Sequence, residues 1–508
     1  MASNQGLHMK ACAVLLMFVL AGSGGAHGQP IGGQRDLLVR FKAGLGGPAQ
    51  KAIESGLGVT ATEVPSLDAQ LLRLKAGADS LEVLERARSD NRFEFVDIGI
   101  ADYRKPLVPL AASVALDGAT QQAVDRFMNA SINSGSRLFR LRAPELAERM
   151  FARGFGTKDA LPQPQSLMVD LADGESSVIV RRPTAEDGAD GSTSWIGDVF
   201  RKGEGSGQTP AGSAQLTYRD GKLIGSISLG QTVYRVEPVA DGVHAVTPVQ
   251  RSRLPPDHPA GSSRPFVNRP KLTLPASPAS STQDAVVPSV SVAIGFTTAA
   301  AARAGDIALL ETHLINQFNE ASRASSIDVR LKAKGLKTFD FTETTVSSDL
   351  EGFKTGAVLL EARKWRRAMG ANIAVLITTS DDACGDAGVI YAEPHTAYAV
   401  VSETCAISNF SFTHEVGHLF GARHDFETDP SDNPFPWGHG FATKNWRTVM
   451  SYPSACGTDT CPRSLRWSTP HVKLGGVKTG TLERHHDARV IQDTARTLMG
   501  YQAPSEEQ

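Results

Sequence analysis

Cysteine is scarce in this chain: five in 508 residues, and none between positions 13 and 383. No disulfide framework holds that long stretch, and no thiol in it can bind a metal or act as a nucleophile. Long apolar runs are absent too. The run 11–21 is too short for a bilayer, which needs about 20 apolar residues, and no later stretch reaches that length. Charge of one sign is also missing. Against 52 Lys and Arg stand 54 Asp and Glu, for a net charge of -2 and no recurring basic stripe. That leaves no electrostatic footprint for nucleic acid and no polybasic membrane anchor. What is present suits a folded chain: 41% apolar and 21% charged residues, with 48 Gly and 28 Pro, exclude a mainly disordered or collagen-like protein. The length implies two or three domains.

The first segment has the pattern of a signal peptide. Lys10 precedes the apolar run, and small residues follow up to Ala26-x-Gly28, so residues 1–28 are expected to be removed on export. The mature protein is then expected outside the cytoplasm, in the medium or the periplasm. Cys12 leaves with that segment, and Cys384, Cys405, Cys456 and Cys461 remain. An even number in an exported chain implies two disulfides. Of the three pairings, chain order favours Cys384–Cys405 and Cys456–Cys461. The alternatives are one bridge with two buried thiols, or a zinc site. Cys456-x4-Cys461 lacks the second close pair that a zinc finger needs.

Composition divides the rest into four stretches. Residues 29–108 alternate strand and helix: strands at 37–42, 71–74 and 93–98, helices at 47–56 and 80–89. That order is similar to the inhibitor-type prosegments that precede subtilisin-like and some other secreted proteases. Residues 109–260 have helical pieces near 120–160, then short strands with Gly, Asp or Pro between them. Among these, Asp220-Gly221 is a type I′ hairpin signal. A Pro/Ser-rich linker covers 261–289, where proline density excludes helix and central strand. Around it Arg251, Arg253 and Lys271 are candidate cleavage points, while Arg264 and Arg269 each precede a proline. Residues 290–508 mix strands with long helices expected at 302–320 and 350–369, an α/β domain with room for one good core.

The chemistry concentrates in Ser411-Phe-Thr-His414-Glu415-Val-Gly-His418-Leu-Phe-Gly421-Ala-Arg-His424-Asp425. On a helix His414 and His418 lie one turn apart on one face, so their imidazoles can reach one ion. Glu415, beside the first, can address a water on that ion. Gly421 can take a left-handed conformation that turns the chain and brings His424 to the same ion. Three nitrogens and a free fourth position make a catalytic zinc site, since structural sites close all four. A bare His-Glu-x-x-His arises by chance at about one position in 8000, and the added Gly and His lower that about 400-fold.

The segment resembles the extended zinc motif of the metzincin metalloendopeptidases. Met450 in Thr448-Val-Met-Ser-Tyr452 corresponds to that family's methionine turn. Val416-Gly417, Asp425 and the flanking cysteines are similar to the reprolysin (adamalysin) branch in its secreted bacterial form. The resemblance covers about 290–503. It implies an α/β fold: a metzincin-like catalytic domain, with a mixed sheet, long helices and an active-site helix, preceded by an α+β inhibitor-like subdomain and a β-rich prodomain. It implies His414, His418 and His424 as ligands of one catalytic Zn²⁺, Glu415 as general base, and Met450 as the apolar floor beneath them. Asp425 and Tyr452 are expected behind the ligands rather than on the ion. Calcium at Asp429 and Asp432 has no regular ligand spacing to support it. His439 is expected in a surface loop, and His485 and His486 at the start of the last helix.

The expected partners are protein or peptide substrates, paired with an edge strand near 395–402 by β-addition. The chain's own prosegment is expected to act as an intramolecular inhibitor. Reprolysins often silence zinc with a propeptide cysteine, which this sequence lacks; a carboxylate, His244 or His258, or plain steric filling must serve instead. Two other readings remain open at this stage: a zinc-binding scaffold without activity, and a zinc hydrolase of non-protein amide bonds.

Overall fold

The computed structural model describes residues 36–41, 47–64, 69–74, 83, 87, 90, 92–99, 107–110, 116–130, 133–141, 166–171, 176–181, 192–201, 211–259, 287–355, 357–457 and 461–502. The expected signal segment, Lys271 and nearly all of the linker lie outside the described residues. The chain forms two compact units, Met1–Ala101 and Asp102–Gln508.

In the first unit, strands β1 (Asp36–Phe41), β2 (Val59–Val64), β3 (Ala69–Leu74) and β4 (Phe93–Gly99) form an antiparallel sheet in the order β2-β3-β1-β4. Helix α1 (Gly47–Leu57) buries Ile53 in a small core with Val39, Leu72 and Phe93. Gly58, at φ 69°, lets the chain leave the helix directly into β2.

Among its described residues the second unit holds two large sheets and a short two-stranded one, Lys473–Leu474 against Val477–Lys478. Nine strands pair antiparallel in the order β5-β6-β13-β12-β11-β10-β9-β8-β7. They are β5 (Leu107–Pro109), β6 (Arg137–Leu141), β7 (Ser166–Asp170), β8 (Ser176–Arg181), β9 (Thr193–Arg201), β10 (Gly212–Arg219), β11 (Lys222–Leu229), β12 (Thr232–Ala240) and β13 (Val243–Val249). Helix α2 (Gly118–Asn129) precedes β6 and is capped by Asp117, which accepts from the Thr120 amide. The Asp220-Gly221 hairpin forms as expected. Both residues have positive φ, 48° and 75°, and Arg219 pairs with Lys222 across the turn.

The other large sheet has the order β15-β14-β16-β18-β17: β14 (Ser289–Thr297), β15 (Arg330–Phe339), β16 (Ile373–Thr378), β17 (Gly385–Asp386) and β18 (Tyr398–Ser402). Its pairs are parallel except for β17, which runs antiparallel along the edge. Every residue of β16 is buried, as a continuous apolar strand requires when both faces are covered. Helices α3 (Thr298–Ala304), α4 (Ile307–Ala324), α5 (Val346–Thr355), α6 (Ala357–Met369), α7 (Glu403–Ala406), α8 (Ser411–Phe420) and α9 (Asp487–Met499) complete the unit.

Four expectations change. The helix expected at 302–320 is two: Gly305 at φ 68° ends α3, and Asp306 starts α4 by accepting from the Leu309 amide. The helix expected at 350–369 is likewise α5 and α6. The β-rich stretch 109–260 is no separate body, since Asp102–Gln508 is one compact unit. Its sheet lies on α4, where Thr217 meets the buried His313 at 3.0 Å, Lys222 reaches Asp306 at 2.7 Å and Ile224 joins the core of the 290–502 region. Finally, 395–402 supplies no free edge. The Cys384–Cys405 disulfide holds the 384–386 segment beside β18, so β17 takes the edge instead.

Candidate metal centre

Helix α8 starts without a side-chain cap, at Phe410 in the left-handed region, and is buried along its whole length. Gly417 makes its close packing possible: a Cβ there would lie 2.8 Å from Met450 Sδ and 2.9 Å from the Trp467 ring. Gly421 ends the helix at φ 111°, and a Cβ there would meet Phe435 at 2.7 Å. Its amide returns to Gly417 and His418 carbonyls, and the chain turns inward to His424. Gly421→Ala is therefore expected to cost about 1–3 kcal/mol, through a strained backbone and a steric clash. It should also weaken zinc binding by displacing His424; denaturant unfolding with and without zinc measures both effects.

The Nε2 atoms of His414, His418 and His424 converge at 3.0 to 3.3 Å from one another. A fourth Nε2, that of His258, stands 3.0 Å from His414, 3.4 Å from His418 and 2.9 Å from His424. Carbonyl oxygens hold the other face of three of these rings. Nδ1 of His414 donates to Val449 O, that of His418 to Ala422 O and that of His258 to Gly385 O. With the proton on Nδ1, each of these Nε2 atoms carries a lone pair, and lone pairs cannot hydrogen-bond one another. Four nitrogens crowded in this way need a cation between them. Zinc–nitrogen bonds of about 2.0–2.1 Å set tetrahedral nitrogens about 3.4 Å apart, so the cluster suits one Zn²⁺. Burial pushes His414, His418 and His424 well below the usual histidine range, which keeps them neutral, as ligands must be.

Glu415 is 1% exposed and neither carboxylate oxygen makes a well-formed hydrogen bond. Burial, reinforced by Asp386, pushes its carboxyl well above the ordinary range. Gly385 lies so close that a Cβ there would be 2.7 Å from Glu415 Oε1. Met450 is fully buried, with its Sδ against Gly417 of α8, and its neighbour Val449 orients His414. Asp425 does not point into the cluster of nitrogens. It accepts from the Thr428 amide and hydroxyl and, at 2.8 Å, from the Tyr452 amide, tying the His424 turn to the methionine turn. The Tyr452 ring lies 4.5 Å from that of His424. Both disulfides, Cys384–Cys405 and Cys456–Cys461, are formed.

Other expected positions fall differently. His439 is fully buried, and its Nδ1 donates to His424 O. The glycines on either side signal close packing rather than a surface loop: a Cβ on Gly438 would meet Val490 at 2.8 Å, and one on Gly440 would meet Ser451. Asp429 pairs with Arg423 at 2.7 Å. His244 lies in the nine-stranded sheet and accepts from the Leu223 amide, away from the metal centre. His486 occupies the N-cap of α9 without a side-chain cap bond.

His258 comes from the strap 250–259, which leaves β13 and enters the cleft. The strap pairs with the sheet edge: the Cys384 amide donates to Pro256 O at 2.8 Å and the Gly385 amide to Asp257 O at 3.2 Å. The Asp257 carboxylate accepts from Asn409 Nδ2 at 2.8 Å and from Arg463 at 2.9 Å, with Arg447 at 3.6 Å. Burial works against its charge, but Arg463, Arg447 and the Asn409 hydrogen bond outweigh it and hold the carboxyl at about 2. Motif reading does not single out Asn409, Arg447 or Arg463. The one available signal was Asp257-His258 itself, in a prosegment without cysteine.

A neutral imidazole cluster suited to one zinc ion, with a buried glutamate beside it on the same helix, defines a zinc metalloendopeptidase. The profile of Metallo-peptidase family M12, reprolysin type, matches residues 289–468. A peptidyl-Asp metalloendopeptidase of Xanthomonas campestris is 32% identical over 58% of this chain and 71% of its own length. Its counterpart in Stenotrophomonas maltophilia is 30% identical over 63% of this chain and 79% of its own. The chain belongs to this reprolysin-like M12 family, alongside the bacterial peptidyl-Asp metalloendopeptidases. Among the described residues no helix is long and apolar enough to cross a membrane.

Proposed function

We propose that this chain is the latent precursor of a zinc endopeptidase that cuts proteins beside aspartate. In this reading His414, His418 and His424 hold the ion, Glu415 is the general base, and His258 blocks the fourth position until the strap is removed. The observation that carries it is the convergence of four Nε2 atoms, three from the motif and one from the strap. The aspartate preference follows the relatives, which are named for peptidyl-Asp bonds.

Bound zinc supplies Lewis acidity toward a water and the scissile carbonyl. Glu415 takes the proton of the attacking water and passes it to the leaving amine; its burial raises its basicity toward that task. Val449 and Ala422 carbonyls keep His414 and His418 oriented with Nε2 inward. The substrate lies along β17, on the amides of Cys384 and Gly385 that the strap now uses. Cleavage at Lys271, the candidate point that follows Asp257 and His258 in the sequence, is the proposed route of activation, because a cut there separates the strap from the metal-binding region.

The test is incubation of the processed protein with a peptide library, with and without chelator. Cleavage of internal bonds is expected, with activity falling at least 100-fold on zinc removal and returning when zinc is added back. Zinc binding without any cleavage would favour the inactive scaffold. Cleavage confined to non-protein amides would favour the other hydrolase reading.

A further inference from the structure

The strap does more than reach the metal centre. Asp257, the residue just before His258, places its carboxylate in a pocket made by Asn409, Arg447 and Arg463. The Asp257 side chain is 10% exposed there, and those of Arg447 and Arg463 are each 1% exposed. Arg463 also anchors the pocket wall, donating to Asn409 O at 2.6 Å. The backbone of Asp257 is fixed at the same time by the edge strand, so the pocket depth matches a side chain with a single methylene. The pocket adjoins the metal centre, since Asp257 directly precedes His258, whose Nε2 stands 2.9 to 3.4 Å from the three motif nitrogens.

We propose that Asn409, Arg447 and Arg463 are the subsite that recognises an aspartate side chain next to the scissile bond, and that Asp257 fills it in the intact chain as a built-in mimic. This rests on the endopeptidase reading above and assigns its specificity to named residues. Burying two guanidiniums is costly unless a carboxylate accompanies them. Once the strap leaves, a substrate aspartate restores the pair. Asparagine brings no negative charge to the two guanidiniums and glutamate overfills the depth, so both are rejected. The strap thus occupies the metal position and the specificity pocket together, with one dipeptide, Asp257-His258.

The test uses the full-length chain carrying Asp257→Ala and His258→Ala, which frees both positions without touching the pocket walls. Two readouts are taken: calorimetric binding of a synthetic decapeptide of residues 250–259, with Asp or Asn at the position of Asp257, and kcat/KM on matched peptides with Asp, Asn or Glu beside the cleaved bond. The Asp decapeptide is expected to bind about 100-fold more tightly than the Asn one, and Arg463→Gln to erase that ratio. The matched substrates should rank Asp first by a similar factor. Equal affinity for both decapeptides, or no binding of either, overturns the pocket, and this comparison does not depend on an Arg463 variant that folds. An aspartate preference in binding without any cleavage keeps the pocket and sinks the endopeptidase reading. Cleavage without an aspartate preference does the reverse.

Discussion

Glu415→Gln is expected to leave one zinc per chain and to lower turnover of the processed enzyme by about 10³-fold. Gln keeps the shape of the side chain that packs closely against Gly385. It cannot accept and return a proton, and that is the step this residue performs in the proposed mechanism. The substitution also removes a buried carboxylate that makes no well-formed hydrogen bond, a group whose charge is costly to bury. Thermal stability should therefore hold or rise while activity collapses. That split separates a chemical role from a structural one, because a merely structural glutamate would lose stability along with rate. Metal content, a melting curve and kcat on one peptide suffice. A variant that keeps its zinc and turns over at the normal rate ends the assignment of Glu415.

His258→Ala is the second large effect, and it acts in the opposite direction. In the uncleaved chain the fourth nitrogen lies 2.9 to 3.4 Å from the other three and leaves no room among them for a substrate carbonyl. Removing the imidazole opens that position, and peptidase activity of the intact chain is expected to rise at least tenfold over that of the intact wild type. The rise should be partial, because Asp257 still anchors the strap through Asn409, Arg447 and Arg463. Adding Asp257→Ala should increase it further. The assay needs a gel beside it to show that the chain stayed uncut. Wild-type protein that is fully active before any cleavage would remove the latency proposal.

The chemistry of the site was legible where its residues are close in sequence. His414 and His418 are one helical turn apart, so their shared face follows from helix geometry, and Gly421 marks the turn that brings His424 in. Met450 lies only 26 residues further on and could be placed by resemblance. His258 could not be placed in this way. It lies 156 residues before His414, on a proline-rich strap whose path is set by pairing with β17 and by the arginine pocket. The same distance hides Asn409, Arg447 and Arg463, which come from a loop before α8 and from two segments around the methionine turn. His439 was misplaced for a related reason: the Asp- and Pro-rich stretch 427–441 around it reads as a surface loop, yet its flanking glycines let buried backbone pass close to Val490 and Ser451.

The sequence by itself determined the metal-binding helix, the glutamate next to its first histidine and the absence of a thiol to silence them. All three follow from local spacing and from composition, which no packing can alter. Only the tertiary structure decided which residue joins the three motif histidines, which arginines face the strap and which strand offers its edge. Those are contacts between segments far apart in the chain, formed when the core, the disulfide at Cys384 and the β17 edge come together, and no short-range pattern encodes them.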